Sequence, residues 1–378
     1  MLLRPGETLE FNGREISLPD IRLIYSAGGN PFHHNSDLNR FLGAWQRPDT
    51  VIVHEHWWTP AARHADIVLP AATTLERNDI LASEGQRHYV AMHRAMENFE
   101  QSRSDFDIFS RLADRLGFGA AFTEGRGEMD WLRHLYEHAR KTATDRGYDP
   151  PDFDRFWQEG RYEFPEPQHD PVLFGDFRRD PRGHPLATPS GKIEIYSGRV
   201  ASYGYDDCPG HPTWLSPEEW LGSPKAQRYP LHLLSNQPKH RLHSQLDPAP
   251  ASLASKIGGR EPLCMHPEDA ANRGISTGDA VRVFNDRGHF AAAAVIVDSL
   301  RRGVVQMATG AWFDPVEPGQ PGSLDRHGNP NLVTPNETSS RLSQGSAAQS
   351  ALVQITLFPD APVPDPFRPP VRGTQPAR

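Results

Sequence analysis

Short apolar, β-branched runs occur at residues 21–25 (IRLIY), 50–54 (TVIVH) and 65–70 (ADIVLP). Between the first two, Leu38, Phe41, Leu42 and Trp45 recur at i, i+3, i+4 and i+7, the spacing of one helix face. The stretch WTPAARH separates the second run from the third. Such alternation predicts a parallel sheet with helices on its faces. Ser104 and Asp107 predict a capped helix start, followed by Phe109, Leu112, Ala113 and Leu116 on one face and by Gly117 as a stop. A further helix carries Leu132, Leu135, Tyr136 and Ala139.

From about residue 146 to 225 the pattern dissolves into Pro, Asp, Gly and aromatics, and only KIEIYS (192–197) reads as a strand. An ordered connection with little regular structure is expected there. Strand signals resume at YPLHLLS (229–235), and a short helix is expected from Pro267 to Arg273 with Gly274 as its cap. Residues 280–297 read as two strands around an Asn285–Gly288 turn, and GVVQMATGAW and SALVQITLF supply two more. Several short strands with turn signals predict a small barrel. The Pro-rich stretch after it is expected to be disordered.

Composition narrows the function classes. The 378 residues carry 31 Gly and 36 Pro, which implies many loops. The formal net charge of −8, without a block of Lys or Arg, argues against nucleic acid as a partner. No apolar run is long enough for a membrane span. Cys208 and Cys264 stand alone, which excludes a cysteine-ligated iron–sulfur cluster in this chain. The opening residues show no export signal.

Candidate chemistry gathers where strands end. Ligands of open parallel sheets bind beyond the carboxyl ends of the strands, and the loops 28–34, 54–59 and 73–79 would converge there. Gly28 and Gly29 allow close backbone approach to a ligand. His54 and His56 would share a strand face, yet no third metal ligand lies near them in sequence. Neither a G-x-S-x-G elbow nor a phosphate-binding G-x-x-x-x-G-K-[ST] loop occurs. The second cluster, LLSNQPKHRLHSQLD (233–247), is dense in Asn, Gln, His and Ser, which match mixed donor and acceptor edges of a heterocycle. A third polar region lies at 329–350.

With these stretches in view, GGNPFHHNSDLNR, HEHWWTPAARHADIVLPAATTLERND, TPSGKIEIYS, LLSNQPKHRLHSQLD, VRVFNDRG and GAWFDP resemble the C-terminal half of the molybdopterin oxidoreductases. The nearest branch is that of dimethyl sulfoxide, trimethylamine N-oxide and biotin sulfoxide reductases. The resemblance implies an α/β Rossmann-like parallel-sheet portion over 1–150, a connection over 151–225, a six-stranded double-psi β-barrel over 226–357 and a tail over 358–378. It also implies a bis(molybdopterin guanine dinucleotide) molybdenum cofactor and oxygen-atom transfer from a small S-oxide or N-oxide.

Carried over by resemblance, the cofactor positions are Gly29, Asn30, His34, His54, Glu55 and Arg77, with Asp105 as the acceptor for guanine protons and Asp107 as its alternative. In the barrel they are Ser235, Asn236, Gln237, Pro238, Arg241, His243, Ser244, Gln245, Asn331, Gln344 and Gly345. Gln237 stands where some relatives have His. The family's metal-ligating serine belongs to an N-terminal half that this chain lacks, so no residue here is assigned as catalytic or as a metal ligand. The expected partner is that missing half, any export signal would lie on it, and both periplasm and cytoplasm stay open. The alternative reading is a non-catalytic protein that binds or carries the dinucleotide.

Overall fold

The computed structural model describes residues 2–83, 85–166, 172–346 and 350–370. The chain forms two compact units. The first is Met1–Val53, Trp57–Val68 and Ile195–Arg378; the second is His54–His56 and Leu69–Glu194. This replaces the expected linear division at residues 150 and 225. Strands and helices that lie far apart in sequence share one core, and an unbroken reading of the chain does not reveal that.

The first unit contains the predicted parallel strands Leu23–Ala27, Thr50–Glu55 and Ile67–Pro70, hydrogen-bonded in that order, the last two running on into the second unit. Thr50 N–H donates to Arg22 O at 3.2 Å and Asp66 N–H to Val51 O at 3.0 Å. The helix Leu38–Trp45 buries Leu38, Leu42 and Trp45, the spacing that its sequence announced. It begins at Asp37, whose side chain accepts from Arg40 N–H. A separate four-residue helix, Pro31–His34, precedes it.

Six strands close the barrel in the order Pro262–Met265, His289–Ile296, Ala280–Phe284, Ser350–Leu357, Leu231–Asn236 and Val304–Ala308. The pairs Pro262–Met265 with His289–Ile296 and Val304–Ala308 with Leu231–Asn236 are parallel, and the other contacts are antiparallel. Strand alternation sends Leu231, Leu233, Val281, Val283, Val305 and Val353 into one core, each at most 1 % exposed. Each such side chain contributes about 1.5–3 kcal/mol by leaving water.

Sequence reading found five of these strands. It missed Pro262–Met265, a four-residue run of Pro, Leu, Cys and Met without alternation. The expected tail is also corrected in part. Arg260 Nη2 donates to the carbonyls of Ala361 and Pro362 at 2.9 and 2.7 Å, and Phe367 packs on Trp312 with ring centroids 5.3 Å apart. Residues 359–370 are thus held to the first unit: a Pro-rich segment is short of backbone N–H donors, and its carbonyls accept from a buried guanidinium instead. The stretch 371–378 lies outside the described residues.

The second unit has an antiparallel sheet, Asp79–Leu81, His88–Met92 and Arg161–Glu163, that the sequence reading did not identify. Its core is Ala91, Leu132, Tyr136, Phe153 and Phe156. Tyr136 stacks on Phe156 at 4.2 Å and donates to Pro151 O at 2.9 Å. Leu135, placed by spacing on the same helix face, is 56 % exposed. The first part of the expected connection belongs to this unit: Phe153–Glu159 is a helix whose aromatics complete this core. KIEIYS forms no strand, and Ile193 and Ile195 are 65 % and 78 % exposed.

Candidate functional site

In the first unit, three segments distant in sequence meet. Gly28 and Gly29 both have φ near +80°, a conformation that side chains with a Cβ rarely adopt, and they turn the chain off the strand Leu23–Ala27. Asn30 follows, at the cap of the Pro31–His34 turn, but its side chain makes no cap bond. Instead its Nδ2 donates to Ser244 Oγ at 2.8 Å. Asn331 Nδ2 donates to the carbonyl of His33 at 2.5 Å. The rings of His33 and His243 lie 5.4 Å apart, and those of His34 and His243 6.1 Å.

Two buried polar atoms at this meeting point lack a hydrogen-bond partner among the described residues: Asn30 Oδ1 and His33 Nδ1. Burial, then the neighbouring His34, His243 and Arg241, pushes the His33 pKa down to about 4. The ring is accordingly neutral at neutral pH. A neutral imidazole and an amide carbonyl offer the mixed donor and acceptor edge that a heterocycle matches. His33 was missed by the sequence reading, which singled out His34. His34 is exposed, while His33 is 8 % exposed.

The barrel loop supplies the other wall. Ser235 and Asn236 end the strand Leu231–Asn236, and Thr309 N–H donates to Asn236 O at 2.8 Å. Gln237 and Gln245 are exposed, and Pro238 is half-buried. Ser244 is buried, and its carbonyl accepts from Trp312 Nε1 at 2.8 Å. Gly310, with φ +93°, passes so close that a Cβ there would lie 2.1 Å from His243 O.

Arg241 departs from expectation. Its side chain is 2 % exposed and its donors go to His243 O, Ser252 Oγ and Thr309 O at 3.2, 3.3 and 2.9 Å. It faces inward, and the carry-over of Arg241 as a cofactor contact has no exposed guanidinium to support it. Gln344 and Gly345 belong to a turn of their own: Gln344 Nε2 donates to Arg341 O at 3.1 Å, and Gly345 O accepts from Ser339 N–H at 2.8 Å.

The second unit holds the remaining candidates. His54, 1 % exposed at its side chain, places Nδ1 2.7 Å from Asp105 Oδ1. Asp105 opens the helix Asp105–Arg115, whose cap Ser104 accepts from Asp107 N–H, and its carboxylate is 58 % exposed. Asp107 is engaged elsewhere, 2.9 Å from Arg111 Nε and 3.2 Å from Arg103 Nη1. His56 Nδ1 lies 2.9 Å from Ala71 O, so the two histidines serve different partners. Glu55 Oε1 accepts from His56 N–H at 2.9 Å. Arg77 pairs with Asp79 and lines a cavity of about 420 Å³ with Glu76, Arg94 and Arg103. Glu76 accepts from the N–H groups of Phe99 and Thr73, which hold its pKa at about 2, and it is a buried structural carboxylate.

The sequence pattern of the molybdopterin oxidoreductases matches residues 6–115, and that of the molydopterin dinucleotide binding domain matches residues 231–352. The chain belongs to the molybdopterin oxidoreductase family. Its dinucleotide-binding match covers most of the barrel and the Arg241–Gln245 loop.

Within this molybdopterin oxidoreductase family, the chain is 46 % identical over 366 residues to the dimethyl sulfoxide/trimethylamine N-oxide reductase of Cereibacter sphaeroides, covering 96 % of this chain and 44 % of that protein. It is 48 % identical to the biotin sulfoxide reductase of the same organism, over 94 % of this chain and 47 % of that protein. Against trimethylamine-N-oxide reductase 1 of Escherichia coli strain K12 the identity is 42 %, over 94 % and 43 %. The chain thus spans less than half the length of these curated relatives. Acetylene hydratase from Pelobacter acetylenicus shares the fold, with a TM-score of 0.68 at 19 % identity over 90 % of this chain and 45 % of that one.

Proposed function

We propose that this chain is the cofactor-holding C-terminal part of a molybdenum-dependent S-oxide or N-oxide reductase, complete only with the N-terminal portion that its relatives possess. The observation that carries the reading is the pair of buried, unpartnered atoms Asn30 Oδ1 and His33 Nδ1 beside Ser244 and Asn331. A buried polar group without a partner costs about 1–3 kcal/mol, and a pterin edge would satisfy both. The residues present therefore fit a molybdopterin dinucleotide.

On this reading Ser235–Pro238 and His243–Gln245 line the pterin and phosphates, Asn331 fixes the His33 backbone, and the barrel has the double-psi topology. Gln344 and Gly345, on their own turn, keep a cofactor role by resemblance alone. In the second unit Asp105 accepts the guanine N1–H and amino protons while His54 orients its carboxylate, and Glu55 and Arg77 flank it. The bound molybdenum centre supplies the acceptor for the transferred oxygen atom. This chain binds and orients its ligand, and the metal-ligating serine comes from the missing portion. The guanine form rests on the resemblance and on the Asp105 geometry, and the pairing of two dinucleotides on the resemblance alone.

Co-expression with a matching N-terminal portion, in a host that makes the cofactor, tests the reading. The expected result is reduction of dimethyl sulfoxide, trimethylamine N-oxide or biotin sulfoxide with reduced viologen, and release of guanine nucleotide on denaturation. A well-folded complex that retains nucleotide but turns over none of the three would favour a carrier. A complex without nucleotide would overturn the cofactor reading.

A further inference from the structure

Behind the turn that presents His243 and Ser244 lies a closed cluster of charge. The side chains of Arg241, Asp247, Lys256 and Glu261 are each at most 4 % exposed. Lys256 Nζ lies 2.9 Å from both Asp247 Oδ1 and Glu261 Oε2. Arg241 lies 3.2 Å from Glu261 and 3.5 Å from Asp247. Two cations thus balance two carboxylates. His327, 3.8 Å from Asp247, adds no charge, because burial and the nearby Lys256 keep it neutral.

Desolvating four charges is costly, and an apolar cluster of equal volume would stabilise a fold at least as well. The cost has a local counterpart. His243 and Leu246 both have φ +53°, a left-handed conformation unfavourable for such residues. Strain of this kind persists only where the surroundings over-determine it. Here they do. Arg241 Nε donates to His243 O at 3.2 Å, Asp247 Oδ2 accepts from Trp312 N–H at 3.0 Å, and Trp312 Nε1 holds Ser244 O.

We infer that this balanced cluster is a positioning device, with Lys256 as its centre because it bridges both carboxylates. It holds the strained His243–Leu246 turn so that the Ser244 hydroxyl meets Asn30. Arg241 therefore acts through the backbone of the turn and touches no ligand. The inference rests on the reading of that turn as a cofactor wall, but its test reads the turn alone and needs no cofactor.

Amide hydrogen exchange on Lys256→Met provides that test. Arg241, Asp247 and Glu261 then carry one surplus negative charge, which a proton relieves as pH falls. Protection of the Gln245 amide, which donates to Leu242 O at 2.9 Å within this turn, should drop about tenfold near pH 8 and recover toward acid pH, while the strand Ala280–Phe284 stays protected. Glu261→Gln leaves a surplus positive charge and should give the opposite slope, which keeps the test open if the first variant does not fold. Lys256→Met with Glu261→Gln, balanced again, should be independent of pH. Unchanged protection of the turn in both single variants would overturn the inference. So would an equal loss in Ala280–Phe284, which would reduce the cluster to general support of the fold.

Discussion

Asn30 donates its side-chain amide to the Ser244 hydroxyl at 2.8 Å, across 214 positions of sequence. The bond joins the Gly28–Gly29 turn to the barrel loop and leaves Asn30 Oδ1 buried and facing no partner among the described residues. Most buried polar atoms in proteins are paired. A second such exception, His33 Nδ1, lies beside it, and under the proposed function a ligand completes both.

Replacing that residue tests the site. Asn30→Ala removes one hydrogen bond and one unsatisfied acceptor, so the thermal transition should move little, by no more than about 1 kcal/mol. Cofactor retained by the co-expressed complex, read as released guanine nucleotide, should fall severalfold. Full retention would remove Asn30 from the site.

Asp105 and Asp107 separate by their partners. Asp105→Ala should reduce nucleotide retention while Asp107→Ala spares it, because Asp107 is engaged by Arg103 and Arg111. The reverse result would move the guanine acceptor by two residues. Equal retention in both would place it elsewhere.

Glu219 predicts a pH dependence of stability in the first unit. It is buried, and its carboxylate meets Arg287 at 2.7 and 2.9 Å, Lys225 at 2.5 Å and Leu352 N–H at 2.9 Å. Burial raises its pKa, but Arg287, Lys225 and the Leu352 N–H outweigh that and hold it at about 2, below the ordinary 4.5. A depressed carboxylate stabilises the folded state above its unfolded pKa, and the benefit is lost as pH falls through the folded value. On the order of 3 kcal/mol should therefore be present above about pH 4.5 and vanish toward pH 2. Glu219→Gln should lose it at neutral pH and show a shallower acid limb in chemical denaturation. Identical limbs would show that the pair contributes nothing.

The C-terminal segment gives a fourth test. Removing residues 359–378 takes away the two carbonyls that Arg260 holds and the contact of Phe367 with Trp312. Unpairing a buried guanidinium costs about 1–3 kcal/mol or more, so the melting temperature should fall by several degrees. No change would mean that the segment is a passive strap.

Local patterning determined a good deal of this protein. The 3.6-residue spacing from Leu38 to Trp45 is the helix face that is buried, Ser104 caps the helix for which it was read, and Asn285–Gly288 is the turn of a barrel hairpin. Those features depend on neighbours within a few residues, and so they are written in sequence. The hairpin Thr8–Phe11 with Arg14–Ser17 was equally legible in its Asn12-Gly13 turn and went unread. Family motifs pointed to the loops proposed to face the ligand, because they record chemistry that spacing alone does not.

Tertiary structure decided what depends on partners far along the chain. Four residues at 262–265 become a barrel strand because neighbours on both sides pair with them. KIEIYS alternates like a strand but finds no ladder among the described residues. Arg241 reads as a ligand-binding arginine until Asp247, Lys256 and Glu261 are seen to close around it. His33 rather than His34 is the buried imidazole, a difference set by which side of one short turn faces the barrel loop. In each case the deciding free energy is burial and pairing with residues outside the local element, which short-range patterning cannot encode.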